Sequence, residues 1–265
     1  MTDTTPGSQN EPPDAPPASP WSAFEAAYRA VVSLDRLQRY RMDRDRGTWV
    51  PLIGRYLYNV ELARALVPVL HWSEIALRNR LDQVIGAAHP LGAGGRAFVD
   101  VPSWLDADPP VLLPNERVRV EAAKRTLLRR PRASAALPPG KLVAELSLGF
   151  WTHLLDGAYE NWRSPNRLWP ALLEPVFPFC PPAERSRKNV HRRYQEIKDV
   201  RNRAFHHERI AHQVTVAMYD RFVETVSWID PLVAGSLADR ERAAFVDLVR
   251  GGPAPFVEWA GRRAA

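Results

Sequence analysis

The chain has 265 residues and a mass of 30.0 kDa, and 45% of its residues are hydrophobic. That is enough for one large domain or two small ones with an ordinary core; no apolar run approaches the ~18–20 residues of a membrane span, and the N-terminus lacks the basic, apolar, small-residue progression of a secretory signal. The formal charge of +6 and pI near 9.8 suit an anionic partner such as RNA, DNA or a membrane surface, although almost all of the positive charge is arginine and genome base composition alone can cause that bias; the single cysteine, Cys180, excludes an intrachain disulfide and a cysteine-rich zinc module and suits a reducing cytoplasm.

Residues 1–20, MTDTTPGSQNEPPDAPPASP, carry almost no apolar side chains. Such a segment cannot offset the entropy of ordering, so a disordered tail is expected. From Trp21 the pattern changes. Phe24, Ala27, Val31, Leu34 and Leu37 fall at helical spacing, and DRDRG then breaks the run. A longer helical stretch follows, in which Leu62, Leu66, Leu70, Leu77, Leu81 and Ile85 keep a period near 3.6. Pro68 lies inside it and is expected to kink it or to start a new helix. HPLGAGG is a breaker, and the Pro-, Asp- and Trp-rich stretch over 96–115 reads as an irregular loop.

NERVRVEAAKRTLLRR predicts a short helix, followed by the loop-like basic patch RRPRAS. KLVAELSLGFWTHLLDGAYENW predicts another helix, with Leu146, Phe150, Leu154 and Ala158 aligned. A proline-punctuated segment separates it from the helix ERSRKNVHRRYQEIKDVRNRAF, and TVAMYDRFVETVSWID gives a further strong helix. A short helix near DRERAAFVDLV and a loose tail over 251–265 complete the chain. No segment alternates as a strand does. The expectation is an all-α fold with one helical domain over 21–250 and roughly seven to nine helices.

The densest chemistry lies in RNRAFHHERIAH, residues 201–212. A helical zinc protease site needs HExxH, because residues four apart share a helix face. Here His207 and His212 stand in HExxxH, one residue too long, and Ile210 occupies the position four after His206. No metal and no cofactor are expected. Val190, Tyr194 and Ile197 form an apolar stripe whose next step of four lands on Arg201. A guanidinium on that seam must meet a carboxylate, a phosphate or a cavity, because burying it unpaired is costly; Glu74 is one candidate partner. Asn202 lies four before His206 and can orient its ring. On an unbroken helix His206 would face about 140° away from Arg201. The two converge only if the helix ends near Phe205 or if a second subunit contributes.

Arginine beside histidine suits metal-free RNA cleavage. An imidazole with a pKa of about 6.5 can take the proton of the attacking 2′-hydroxyl. A guanidinium can neutralise charge building on the phosphate. General-base help is worth roughly 10²–10⁴-fold and one charge donor roughly 10²–10³-fold. DNA lacks the nucleophile.

VRNRAFHHERI resembles the R-N-x3-H-H signature of the Abi-like (abortive infection) family within the HEPN superfamily. SLDRLQRY, YLYNVELARAL, SEIALRNRLD and AELSLGFWTHLL resemble further family blocks in the expected order, so the similarity spans about residues 30–230. The resemblance implies a HEPN-like helical bundle with additional helices. It implies a homodimer whose paired motifs meet in a basic cleft, and a metal-independent endoribonuclease leaving 2′,3′-cyclic phosphate ends. Such proteins act as toxins in phage defence or in toxin–antitoxin pairs, so RNA and an antitoxin are the implied partners.

On this reading Arg201, His206, Asn202 and His207 are the catalytic set, with either histidine as base. Arg203, Glu74 and Arg78 support the RNA cleft; the plain alternative for Glu74 and Arg78 is an i,i+4 salt bridge. Phe205 stands where many relatives have alanine, and Arg209 where many have proline. Phe150 and Trp151 are expected in the core, and His153, His191 and Cys180 in structural roles. Two other functions fit the same fold: a non-catalytic RNA- or partner-binding module, and a nucleotide-handling partner of a transferase.

Overall fold

A computed structural model of the chain describes residues 22–45, 47–88, 103–106, 111–129 and 139–265. The fold is all-α, with no strand among the described residues. The tail over 1–20, the HPLGAGG breaker and nearly all of RRPRAS lie outside the described residues, as does much of the loop expected over 96–115.

The chain divides into two compact units, Met1–Leu57 with Pro253–Ala265, and Tyr58–Gly252. The first unit holds α1 (Ala23–Val32), α2 (Leu34–Gln38), the opening turns of α3 (Val50–Ala88) and α12 (Ala254–Ala264). Its core is Leu37, Tyr40, Trp49, Leu52, Ile53 and Ala260. The tail expected to be loose over 251–265 is in fact α12. Its burial explains why: Ala260 is fully enclosed, Trp259 meets Phe24 edge-on, and Val257 sits so close to Gly54 that a Cβ there would lie 2.5 Å from the Val257 Cα.

The continuous helix expected through Val31, Leu34 and Leu37 is broken at Ser33, whose φ is 72° and whose hydroxyl accepts the Arg36 N–H to start α2. Val31 consequently points outward and is 86% exposed. Glu25 holds α1 to the start of α3. Its carboxylate accepts N–H bonds from Trp49 (2.9 Å) and Ser22 (3.2 Å) and hydroxyl bonds from Thr48 and Ser22. Burial pushes that carboxyl up, but the four donors outweigh it and hold it below its ordinary value.

In the second unit, α3 runs on through Pro68 to Ala88 as one helix. Proline removes the bond to the Arg64 carbonyl, but Arg64 is exposed, while Leu62, Leu66, Val69 and Leu70 are buried on both sides of the gap. Packing outweighs one lost hydrogen bond. The periodic set read from the sequence, Leu62, Leu66, Leu70, Leu77, Leu81 and Ile85, is buried throughout. α4 (Pro114–Leu128) follows.

The helix expected over KLVAELSLGFWTHLLDGAYENW is split into α5 (Pro139–Glu145) and α6 (Leu148–His153), because Ser147 is extended with ψ 160°, and its last third holds only a short 3-10 turn, Gly157–Glu160. Phe150 and Trp151 are core residues, as their spacing suggested. The proline-punctuated segment contributes only the short α7 (Leu173–Val176). α8 (Arg187–Phe205) is capped by Ser186, which accepts the Asn189 N–H, and α9 (Val216–Ser227) by Thr215, which accepts the Met218 N–H. α10 (Pro231–Leu237) passes through a π-helical turn into α11 (Ala243–Gly251). Cys180 is buried and its thiol is pushed up to about 11, as suits a structural residue. No helix among the described residues is long and apolar enough to cross a membrane.

Candidate active site at the end of the eighth helix

α8 buries Val190, Tyr194, Ile197, Val200 and Ala204. The apolar stripe read from the sequence continues through Val200 and Ala204 rather than through Arg201, which lies half-buried at its edge. Its Nε sits 3.7 Å from a carboxylate oxygen of Glu74 on α3, an ion pair too long for a hydrogen bond. That Nε is buried and has no hydrogen-bond partner. Another guanidinium nitrogen reaches the Asn202 side-chain oxygen at 3.4 Å. The Phe205 ring lies under the guanidinium, 4.9 Å from its centroid, and is itself half exposed. Thus Arg201, Glu74, Asn202 and Phe205 form one group. Arg201 remains one-third exposed within it.

Glu74 therefore pairs with Arg201 rather than with Arg78. Arg78, one turn further along α3, donates from Nε to the Asn79 side chain instead. Arg203 is half-buried in the last turn of α8, where a cation complements the helix dipole.

The helix end fixes where the two histidines stand. His206 is the C-cap, and its N–H still donates to the Asn202 carbonyl at 2.9 Å. Its Cα thus remains on the helical path, about 140° around the axis from Arg201. The reversal begins one residue later. His207 has φ 57°, its N–H donates to Ala204 and the Glu208 N–H donates back to Arg203 at 2.9 Å. These two bonds make a Schellman motif with His207 at its left-handed position. A non-glycine residue there costs roughly 1–2 kcal/mol. Both imidazoles are exposed. Within one chain, then, the structure gathers Arg201, Asn202 and Glu74 and leaves His206 on a different side of the helix.

The stretch from His207 to His212 is not helical, so the zinc-protease geometry excluded by spacing is absent for a second reason. Among the described residues no group of three or more His, Cys, Asp or Glu side chains is placed to hold a metal ion. His153 and His191 lie apart from this site, flanking Asp156 at 4.0 and 3.2 Å. Burial holds the His191 imidazole below its ordinary value despite that carboxylate.

One residue of this region escapes a sequence reading. Asn59, in the block YLYNVELARAL, is 4% exposed and bonds to the loop that follows the histidines. An asparagine among apolar helical residues is a signal, but nothing in its spacing says what it binds. No family model, curated protein or solved structure matches this chain.

Proposed function

We propose that this protein is a metal-independent endoribonuclease of the Abi-like HEPN type, acting as a toxin in phage defence or in a toxin–antitoxin pair. The observation that carries the reading is the end of α8. A seam arginine keeps an unspent hydrogen-bonding nitrogen, and within six residues two imidazoles stand at the surface on a capped, sharply turned helix end. In a homodimer, His206 or His207 of one protomer faces Arg201 of its partner, which answers the divergence within one chain. The imidazole takes the 2′-hydroxyl proton as the 2′-oxygen bonds to phosphorus, the P–O5′ bond breaks, and the 5′-oxygen leaves and takes up a proton as a 5′-hydroxyl; Arg201 neutralises the charge on the phosphate, and a 2′,3′-cyclic end remains.

The test is cleavage of end-labelled RNA by the full chain in EDTA. Activity that persists in EDTA, falls at least ~10²-fold in Arg201→Ala and in His206→Ala, and yields cyclic phosphate ends supports the reading. Activity equal in wild type and both variants would falsify it.

A second reading has its own observation. Arg201 is already partly neutralised by Glu74 and covered on one side by Phe205. A module that binds RNA without cutting it has no need of an open guanidinium. On that reading RNA binding persists, weakens steeply with salt, and no product forms.

A further inference from the structure

We infer that Asn59 is a positioning residue for the His206–His207 turn, an inference that rests on the ribonuclease reading above. Asn59 lies on α3, some 150 residues away in sequence. Its Nδ2–H donates to the Glu208 carbonyl at 3.1 Å, and its Oδ1 accepts the N–H groups of Ile210 at 2.8 Å and Ala211 at 3.2 Å. The three bonds fix the amide's orientation, since a flipped side chain would set its NH₂ against two N–H donors and its oxygen against a carbonyl. The site is buried on both sides: Asn59 is 4% and Ile210 1% exposed. A buried loop has backbone groups that must find partners, and Asn59 supplies three of them with one side chain.

The consequence for the histidines is geometric. The Schellman turn fixes His206 and His207 at the end of α8, and its last bond is made by Glu208. Glu208 is also the first residue that Asn59 grips. The strained left-handed backbone of His207 is thus held between a helix end and a buried anchor. Without the anchor, the turn can relax toward a less costly backbone and carry the rings with it. Displacement of a catalytic group by about 1 Å is worth on the order of 10²-fold in rate.

Three variants of the full chain test this. Asn59→Ala removes all three bonds, and Asn59→Leu fills the space without them. Asn59→Asp keeps the two acceptor bonds and loses the one to Glu208. The readouts are the imidazole ring signals in the NMR spectrum and RNA cleavage per folded molecule. In Asn59→Ala and Asn59→Leu, the His206 and His207 signals are expected to shift and broaden while those of His71, His153 and His191 stay fixed. Cleavage should fall ~10–100-fold, with Asn59→Asp recovering part of both effects.

Unchanged His206 and His207 signals in the folded variants overturn the inference. So does rapid hydrogen exchange of the Ile210 and Ala211 amides in the wild-type chain, which decides the matter if Asn59→Ala and Asn59→Leu fail to fold. If the wild-type chain does not cleave RNA, the ribonuclease reading falls, and the ring signals and amide exchange alone judge whether Asn59 holds the turn.

Discussion

Two arginines, one in each unit, sit where a helix turns toward its core, and they are treated in opposite ways. Arg55 is tied into the fold: its Nε donates to the Tyr40 carbonyl at 2.8 Å, a terminal nitrogen is paired with the Asp45 carboxylate, and its side chain is 9% exposed. Arg201 is one-third exposed, its carboxylate stands off at 3.7 Å, and its buried Nε is unmatched. The unmatched Nε of Arg201 lies buried beside Glu74, while the side chain as a whole keeps one-third of its surface in solvent. The difference sets Arg201 apart from Arg55 as the less completely enclosed of the two.

The sharpest way to break that comparison is to truncate both. Arg55→Ala leaves Asp45 buried without its counter-charge, and loss of one partner of a buried pair costs about 3–5 kcal/mol. Arg201→Ala gives up a long, partly solvated ion pair and should cost no more than ~1 kcal/mol. Urea denaturation of the two variants measures both. An Arg201→Ala cost equal to that of Arg55→Ala would make Arg201 a structural residue and remove the main support for the catalytic role proposed for it.

The next effect concerns the turn rather than the charge. His207 occupies a left-handed backbone at φ 57°, where glycine carries no steric penalty. His207→Gly should therefore raise stability by about 0.5–1 kcal/mol after its greater unfolded-state entropy is counted. A matching fall in RNA cleavage would name His207 as the base. Unchanged cleavage would leave that role to His206. A loss of stability would show that the ring, not the backbone, holds the turn.

Much of this was legible in the residues because it follows from periodicity. The stripe Val190, Tyr194, Ile197 ends on Arg201 by counting alone, and Glu74 could be named as its partner from the sequence. The buried leucines of α3 follow the same rule. What escaped were breaks made by single residues. Ser33 ends α1 through an unusual backbone angle, Ser147 splits a helix by being extended, and Pro68 fails to break one because buried leucines on either side outweigh it. α12 escaped because a short amphipathic segment after Gly-Gly-Pro looks like a frayed end until a surface for Ala260 and Trp259 is known. Asn59 escaped for a different reason: its bonds go to backbone atoms some 150 residues away, and a backbone atom leaves no mark in a sequence.

The smallest expected effect bears most directly on how Arg201 is held. Glu74 either competes with a phosphate for the guanidinium or orients it toward one. The geometry favours competition. The carboxylate lies at 3.7 Å, beyond hydrogen-bonding distance, so it lends charge but little direction. Glu74→Gln keeps the shape and removes the charge. RNA affinity should then rise a few-fold, about 2–5-fold at low salt, because an opposing charge near the cation is gone. The gain should shrink as salt is added, since the pair is partly exposed and screening reaches it. Stability should change by less than ~1 kcal/mol. Fluorescence anisotropy of a labelled RNA across a salt series reads all but the last. A fall in affinity would reverse the assignment: Glu74 would then be the group that aims Arg201 rather than one that competes with a phosphate for it.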